Sequence, residues 1–357
     1  MAVKPLGDTR WSLREAPREG HTMPGRAEQR VTLRDVAKAA GVSTATVTRT
    51  LQNSPRVEPA TRRRVMEQVQ LLGYSPNPIA RDLRYGRREA AVGLVTAGFT
   101  NLFQAGVASG AERELRHAGL QLIIGSTDDT PAREPELARA MIDRRVSALL
   151  MMPDGDHRDF LSPEHTHGTP VVLVGRPAAD LAADVVMTDD DHAVQQATQH
   201  LIGLGHHRIA ALTGRLDSFR AAQRLGGYRS ALAASGIREE PPLVIGDLTT
   251  PQQARDAVVR LLELPSPPTA VLALNLGIST GVLIERLAGR HAFAFIGLDE
   301  TDVSKGLGVS AVVRDPQEVG RQAARLALDR IATPDRPPRT VTVASTFVRR
   351  GTGEVGP

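Results

Sequence analysis

From Ala91 onward, short apolar runs alternate with amphipathic stretches that end in glycine. The runs are Val92–Val95, Leu120–Gly125, Ala148–Met152, Val171–Gly175, Arg208–Leu212, Leu243–Gly246, Ala270–Leu274, Phe293–Gly297 and Ala311–Val313. Between them lie stretches such as Gly106–Gly119, Ala193–Gly205, Arg220–Gly236 and Pro251–Leu264, which carry a helical pattern. Strands with few polar positions, separated by helices, describe parallel sheets covered on both faces. This many runs predicts two doubly wound sheets rather than one, and no tandem repeat is visible.

Upstream the pattern changes. Residues 1–30 mix Pro, Gly, Arg and Glu without apolar periodicity and are expected to be disordered. Met23 lies eight residues before Val31, so residues 1–22 are expected to be either a disordered extension or a product of start-codon choice. A compact helical stretch runs from Val31 to about Gly73. Tyr74-Ser75-Pro76-Asn77-Pro78 then punctuates the chain before a short segment, Ile79 to Tyr85, and a linker-like Gly86-Arg87-Arg88.

Within the helical stretch Thr32 is placed to cap a helix whose apolar face is Leu33, Val36, Ala37 and Ala40. Gly41 supplies the positive φ that ends it, and Val42 packs back into the core. Ser43 is placed to cap a second helix that buries Val47 and Leu51. Two short helices about a glycine turn predict a helix-turn-helix, whose second helix enters the major groove of DNA. On that helix Thr44, Ala45, Thr48 and Arg49 point away from the buried positions. Arg49 can fork onto guanine, and Thr44 and Ala45 are small enough to meet a thymine methyl. Ser43 and Thr46 stand at the helix start, where phosphate is held. An ordinary helical hairpin with a solvated Thr/Arg face has the same periodicity.

Charge separates these two readings in part. Of 44 Lys+Arg and 40 Asp+Glu, residues 1–90 hold 17 and 9, a net of +8, and the remainder holds 27 and 31, a net of −4. A basic first quarter on a slightly acidic body suggests that one end meets a polyanion, although a solvated basic tail has the same balance. The 41% hydrophobic content is ordinary for a globular protein, and no apolar run reaches the ~18 residues of a spanning helix. The N-terminus, with Arg10, Arg14 and Arg18, lacks the apolar segment of a secretory signal. Cysteine is absent, which excludes disulfides and thiolate metal sites and agrees with a cytoplasmic location.

The stretch from Thr32 to Leu51, continued by Val57, Thr61, Val65 and Leu72-Gly73-Tyr74-Ser75-Pro76-Asn77, resembles the headpiece of the lactose-repressor (LacI/GalR) family, with Gln52 as a small departure from the usual Asn. Ile79-Ala80-Arg81-Asp82-Leu83-Arg84 is similar to that family's hinge helix. The resemblance extends through Asn101-Leu102-Phe103, Val171 to Pro177, Leu201 to Ile209, Arg224-Leu225-Gly226-Gly227-Tyr228, Phe295 to Asp299 and Val312-Val313-Arg314-Asp315-Pro316. It implies an N-terminal all-α helix-turn-helix headpiece plus hinge helix, joined to an α/β periplasmic-binding-protein-like core of two doubly wound parallel-sheet subdomains. The expected divisions are a headpiece over 31–75, hinge and linker over 76–89, and a core over 90–350. Within the core, 90–187 and 315–340 form one subdomain, 188–314 and 341–350 the other, and 351–357 are left as a tail.

What the resemblance implies for function is a regulator, usually a repressor, that binds a pseudo-palindromic operator in double-stranded DNA as a homodimer and answers to a small-molecule effector. The DNA-binding set is then Thr32, Ser43, Thr44, Ala45, Thr46, Thr48 and Arg49 with Asn77, Ala80, Leu83 and Arg84. Leu83 sits where the family's hinge leucine wedges between base steps and bends the duplex. For the effector, Phe103 would stack, Arg224 would donate a fork, Asn275 would pair with a hydroxyl and Asp299 would accept hydroxyl hydrogen bonds. That set suits a sugar. Gln104, Gly175, Leu248, Leu276 and Asp315 depart from the family's usual residues, so the pocket is expected to be remodelled. No leucine heptads follow Arg350, and a dimer without a tetramerising tail is expected.

Two other classes compete. A soluble carbohydrate-binding receptor would share the core but has no use for the headpiece or for a chain without a signal peptide. An esterase-like enzyme finds a hook in Gly277-Ile278-Ser279-Thr280-Gly281, which fits the nucleophile-elbow pattern. The last histidine is His291 and the only acid between it and Ser279 is Glu285, so the required acid-then-base order is missing. No enzyme, metal or cofactor is therefore expected. His157, His165 and His167 read as polar loop and His206-His207 as a structural turn, since neither group has helical ligand spacing beside a carboxylate.

Overall fold

The structure, a computed structural model, describes residues 31–51, 54–74, 90–99, 101–155, 158–179, 181–289 and 292–357. The chain divides into two compact units, Met1–Tyr85 and Gly86–Pro357. The expected extension (1–30) and the expected hinge contacts Asn77, Ala80, Leu83 and Arg84 lie outside the described residues.

The first unit holds three helices, α1 (Leu33–Ala40), α2 (Thr44–Leu51) and α3 (Pro59–Leu71). Their inward faces supply one small core of Val36, Ala37, Ala40, Val47 and Val65, with Val31, Leu33, Val42, Leu51 and Tyr74 around it. Thr50 also turns inward, which the apolar pattern of α2 did not signal; its hydroxyl is satisfied by donating to the Thr46 carbonyl at 2.9 Å.

In the second unit strands and helices alternate along most of the chain, with a further strand at Asp184–Thr188 that the apolar runs did not mark. The first half runs β1 (Ala91–Thr96), α4 (Leu102–His117), β2 (Gln121–Ser126), α5 (Glu134–Asp143), β3 (Ala148–Met151), α6 (Pro163–Thr166), β4 (Val171–Val174) and β5 (Asp184–Thr188). The second runs α7 (Asp190–Gly203), β6 (Ile209–Leu212), α8 (Phe219–Ala234), β7 (Val244–Ile245), α9 (Pro251–Leu262), β8 (Ala270–Ala273), α10 (Leu276–Leu287), β9 (Ala294–Leu298), α11 (Asp302–Gly306) and β10 (Ser310–Val313). The chain then crosses back through α12 (Pro316–Ala332) and β11 (Thr340–Val343), and returns as β12 (Thr346–Val348).

Two six-stranded sheets result, ordered β11-β5-β4-β3-β1-β2 and β12-β10-β9-β8-β6-β7. The first is parallel throughout; in the second, the edge strand β12 runs antiparallel to β10. Both faces of each sheet are buried, and the period of two shows which residue serves which layer. On β6, Ile209 and Ala211 face α7 and α8, while Ala210 and Leu212 face α9 and α10. On β1, Val92 and Leu94 meet α4 and α12, and Val95 meets α5. Each such fully buried Val or Leu contributes about 1.5–3 kcal/mol. Two helix pairs approach to backbone contact through glycine: a Cβ on Gly320 of α12 would strike the Val107 carbonyl of α4, and one on Gly227 of α8 would strike the Asp191 carbonyl of α7.

Two details differ from the sequence expectation. Thr340–Val343 pairs with β5 along its whole length, so Val341–Val343 belong to the first sheet, and the last crossover falls at 344–345 instead of after 340. The segment expected as a tail is packed: the Phe295 amide donates to the Thr352 carbonyl at 2.8 Å, and Val355 lies against the α7–α8 core. Buried His206 anchors it, with Nδ1 2.8 Å from the Thr269 hydroxyl and Nε2 2.8 Å from the Val355 carbonyl.

Candidate functional site

In the first unit, each turn of the chain is fixed by a side chain or a glycine. The Thr32 amide donates to Asp35 Oδ2 at 2.8 Å, and the Asp35 amide reaches back to the Thr32 hydroxyl at 3.4 Å. This reciprocal cap satisfies amides that have no partner inside the helix. Hydrogen bonds from Thr32 also hold the Asp35 carboxyl below its ordinary range. Gly41 ends α1 at φ 64°, which lets the Val42 amide bond the Ala37 carbonyl at 3.0 Å. Ser43 then accepts the Thr46 amide at 3.2 Å and opens α2.

Beyond this turn Thr44, Ala45 and Arg49 are exposed, and Thr46 and Thr48 are half-buried. The hydroxyl of Thr48 donates to the Thr44 carbonyl at 2.9 Å, and Ser43 and Thr46 hydroxyls lie 2.9 Å apart. α2 therefore presents small side chains and one free-standing guanidinium, a face that fits a groove. Sequence reasoning missed Arg64 of α3, whose Nε donates to the Ala40 carbonyl at 3.0 Å and closes the C-terminus of α1. A cation near the C-terminal end of another helix is the physical signal, but only the fold brings residues 40 and 64 together.

In the second unit, the structure brings Phe103, Arg224 and Asp299 together in a buried ionic cluster completed by two residues the sequence did not single out, Asp190 and Arg314. Arg224 Nε donates to Asp190 Oδ2 at 2.9 Å, and its NH1 donates to the Leu274 carbonyl at 2.9 Å. Arg314 Nε donates to Asp299 Oδ1 at 2.8 Å, its NH2 pairs with Asp299 Oδ2, and its NH1 reaches Asp190 Oδ2 at 3.4 Å. The Arg314 guanidinium also lies 3.6 Å from the centre of the Phe103 ring, a stacked cation–π contact. Burial alone would push the Asp190 carboxyl up, but the Arg314 and Arg224 charges outweigh it and hold that carboxyl far below its usual range.

The expected roles shift accordingly. Arg224 and Asp299 are engaged by protein partners in this structure, because Asp190 and Arg314 stand beside them. The Phe103 face carries Arg314. Asn275 caps α10, its Oδ1 accepting the Gly277 amide at 2.9 Å, which leaves its NH2 group as the part suited to a ligand. The missed residues had a weak signal, the acidic Asp189-Asp190-Asp191 run and Arg314 itself, neither with a periodicity of its own.

The cluster sits where the chain passes between the sheets. Asp190 follows β5, Arg314 follows β10, and Ser345 lies between β11 and β12. Ser345 joins the other two crossings through its hydroxyl, 2.9 Å from Asp190 Oδ1. A pocket opens beside the cluster, with Phe103, Val174, Val186 and Val319 as apolar wall and Thr188, Arg220, Gln223 and Arg314 as polar lining. Across it Arg220 NH2 of α8 pairs with Asp154 Oδ1, which follows β3.

The esterase hook dissolves in this geometry. Ser279 lies inside α10, donates to the Asn275 carbonyl at 2.9 Å and accepts the Leu298 amide at 2.9 Å. Its oxygen ties α10 to β9, and among the described residues its hydrogen-bond partners are main-chain groups of Asn275 and Leu298. Among the described residues no cluster of three or more His, Asp or Glu could hold a metal ion. His165 Nδ1 lies 2.8 Å from the Ser162 hydroxyl, and His157 lies outside the described residues.

A three-helix headpiece on a two-sheet body with its site at the crossovers defines a class, the ligand-controlled DNA-binding regulator. Residues 32–77 match the bacterial regulatory proteins of the lacI family, and 89–349 match the periplasmic binding proteins and sugar binding domain of the LacI family. The chain belongs to the LacI family, whose members are DNA-binding transcriptional regulators, not enzymes. It is 32% identical over 342 residues to the HTH-type transcriptional regulator CelR of Thermobifida fusca, covering 91% of this chain and 99% of that protein. A solved CelR–cellobiose complex is 30% identical with a TM-score of 0.65, covering 91% of this chain and all of the other. The Lac repressor dimer bound to operator and an anti-inducer has a TM-score of 0.80 at 20% identity, covering 92% of this chain and 100% of that one, a likeness of fold.

Proposed function

We propose that this chain is a cytoplasmic, homodimeric transcriptional regulator, acting as a repressor, that reads a pseudo-palindromic operator and answers to a small effector of the sugar class. On the DNA side, Arg49 makes the base-specific fork, and Thr44, Ala45 and Thr48 meet base edges and methyls. Thr32, Ser43 and Thr46 hold phosphate, Leu83 wedges the minor groove, and Asn77, Ala80 and Arg84 flank it. On the effector side, Phe103 and Asn275 touch ligand, and Arg224 and Asp299 act through the ionic cluster. The divisions are a headpiece over 31–75, a hinge over 76–89 and a core from 90 onward.

The observation that carries this reading is the placement of the cluster. Asp190, Arg314 and Ser345 tie the three crossovers together beside the pocket, so a ligand that touches Phe103 or Arg314 alters how the subdomains are held. An effector can then shift the regulator between two states to the extent that it binds them differently. No described helix is long and apolar enough to cross a membrane.

The test is selection of operator sequences by the full chain, followed by Arg49→Ala. The wild type should enrich a palindrome, with affinity falling steeply as salt rises. The variant should lose about 1–3 kcal/mol and its preference at one base pair per half-site. An unchanged consensus would remove Arg49 from the reading helix.

A further inference from the structure

We infer that the effector carries an anionic group, a carboxylate or phosphate on a polyol body, which Arg220 takes in exchange for Asp154. The inference rests on the pocket being the effector site, as proposed above, and deepens that reading. Among the described residues the polar lining consists of Arg220, Arg314, Gln223 and Thr188, without a carboxylate. The two arginines differ. Arg314 has all three nitrogens on Asp299 and Asp190 and is buried. Arg220 uses only NH2, on one oxygen of Asp154, and about a quarter of each side chain is exposed.

A guanidinium favours two parallel hydrogen bonds to a carboxylate or phosphate, and Asp154 supplies one. Gly175, on the opposite subdomain, brings no side chain toward Arg220; a Cβ there would lie 3.8 Å from NH1, and its φ of +75° favours glycine. The Asp154 main chain is fixed beneath this contact. Its amide is held by Glu134 at 2.6 Å and its carbonyl by Arg176 at 3.2 Å. Asp129 shares this rim, and its carboxyl is pushed up by burial and then by Asp154. Asp154 already places one carboxylate oxygen on Arg220, so an anion that takes the guanidinium through two parallel bonds exchanges with it. Asp154 acts as a built-in stand-in for the ligand's charge.

The experiment titrates the full chain at low salt with inorganic phosphate, D-gluconate and D-glucose 6-phosphate, against D-glucose and cellobiose. It follows stabilisation of the fold, which mass action requires of a ligand that binds the native state. Asp154→Asn removes the competing charge and should bind the anionic probes about tenfold more tightly than wild type, and Arg220→Gln in that background should abolish the gain. Gluconate above glucose 6-phosphate identifies a carboxylate, and the reverse order a phosphate. No gain in Asp154→Asn overturns the inference. So does equal stabilisation of all three proteins, the mark of an adventitious ion only. Neutral sugars that bind wild type and Arg220→Gln equally, and fail in Phe103→Ala, overturn the anion while leaving the effector pocket standing.

Discussion

The headpiece and the crossover cluster solve the same problem, holding functional side chains in place, by opposite means. In the headpiece, the caps and the turn are closed by neighbours in sequence, Thr32 with Asp35, Gly41 with Lys38, Val42 with Ala37 and Ser43 with Thr46, and Arg64 on the Ala40 carbonyl is a longer-range exception. Each contact is neutral or singly charged, and modest. In the cluster, residues 103, 190, 224, 299, 314 and 345 come from six segments and meet in the interior. There, two guanidiniums and two carboxylates have left water, and only their mutual geometry offsets the desolvation. A surface that must fit DNA can be assembled locally, whereas a site that must sense a ligand and report it to two lobes draws on both.

The sharpest way to break that contrast is to remove one member of the cluster. Asp190→Ala leaves Arg224 and Arg314 without their shared partner in a buried setting, which costs about 3–5 kcal/mol. For a body of this size the calorimetric transition should fall by roughly 10 °C, with the α1–α3 helices still folded. The pH dependence has a definite sign. The Asp190 carboxyl is held below its unfolded value, so its contribution is fully present above about pH 4 and is lost as pH falls further. Between pH 5 and 8 the wild-type and variant stabilities should run parallel. Convergence of the two only below about pH 4 supports this account, and an unshifted transition in Asp190→Ala would reduce the cluster to a surface-like ion pair.

That difference in construction also explains what could be read beforehand. The helix-turn-helix was legible because caps, a glycine turn and apolar spacing are local signals. The sheets were legible because β1, β3, β4, β6, β8 and β9 are buried on both faces and appear as unbroken apolar runs. β11 and β12 were not: Thr340–Val343 is an edge strand alternating Thr with Val, and its pairing depends on a return from the other lobe. Asp190 and Arg314 were invisible for a related reason. A charge destined for burial looks like any other charge until its partners, 15 to 155 residues away in sequence, are beside it.

The C-terminal segment sharpens the comparison, because a region that reads as a free tail is held by distant partners. The Val355 carbonyl can only accept, so His206 Nε2 donates to it, while Nδ1 shares a hydrogen bond with the Thr269 hydroxyl. His206→Ala would leave two polar groups without this partner at a buried site, a loss of about 1–3 kcal/mol. Limited proteolysis should then release the last residues faster than in wild type, with operator binding retained at temperatures where the body stays folded. Equal cleavage rates would show that the segment is held without His206, by contacts such as the Phe295 amide on the Thr352 carbonyl.

The smallest effect tests the headpiece side, where one residue has two candidate jobs. Thr32 caps α1 through its amide and hydroxyl, and it is exposed where phosphate contact is proposed. Thr32→Ala removes the hydroxyl that caps the helix, a loss of typically ~1 kcal/mol of headpiece stability, and should weaken operator binding slightly. Thr32→Ser separates the two jobs, since serine caps as well as threonine and keeps the hydroxyl but loses the methyl. If Ser restores both stability and affinity, the hydroxyl suffices; comparing the salt dependence of binding in the Ala variant then decides its use. A neutral hydroxyl releases no counterion, so the slope of log affinity against log salt should be unchanged in Thr32→Ala, whichever job it does. The discriminating quantity is affinity measured well below the headpiece's unfolding temperature. A deficit that persists there belongs to phosphate contact, and one that vanishes on cooling belongs to the helix cap.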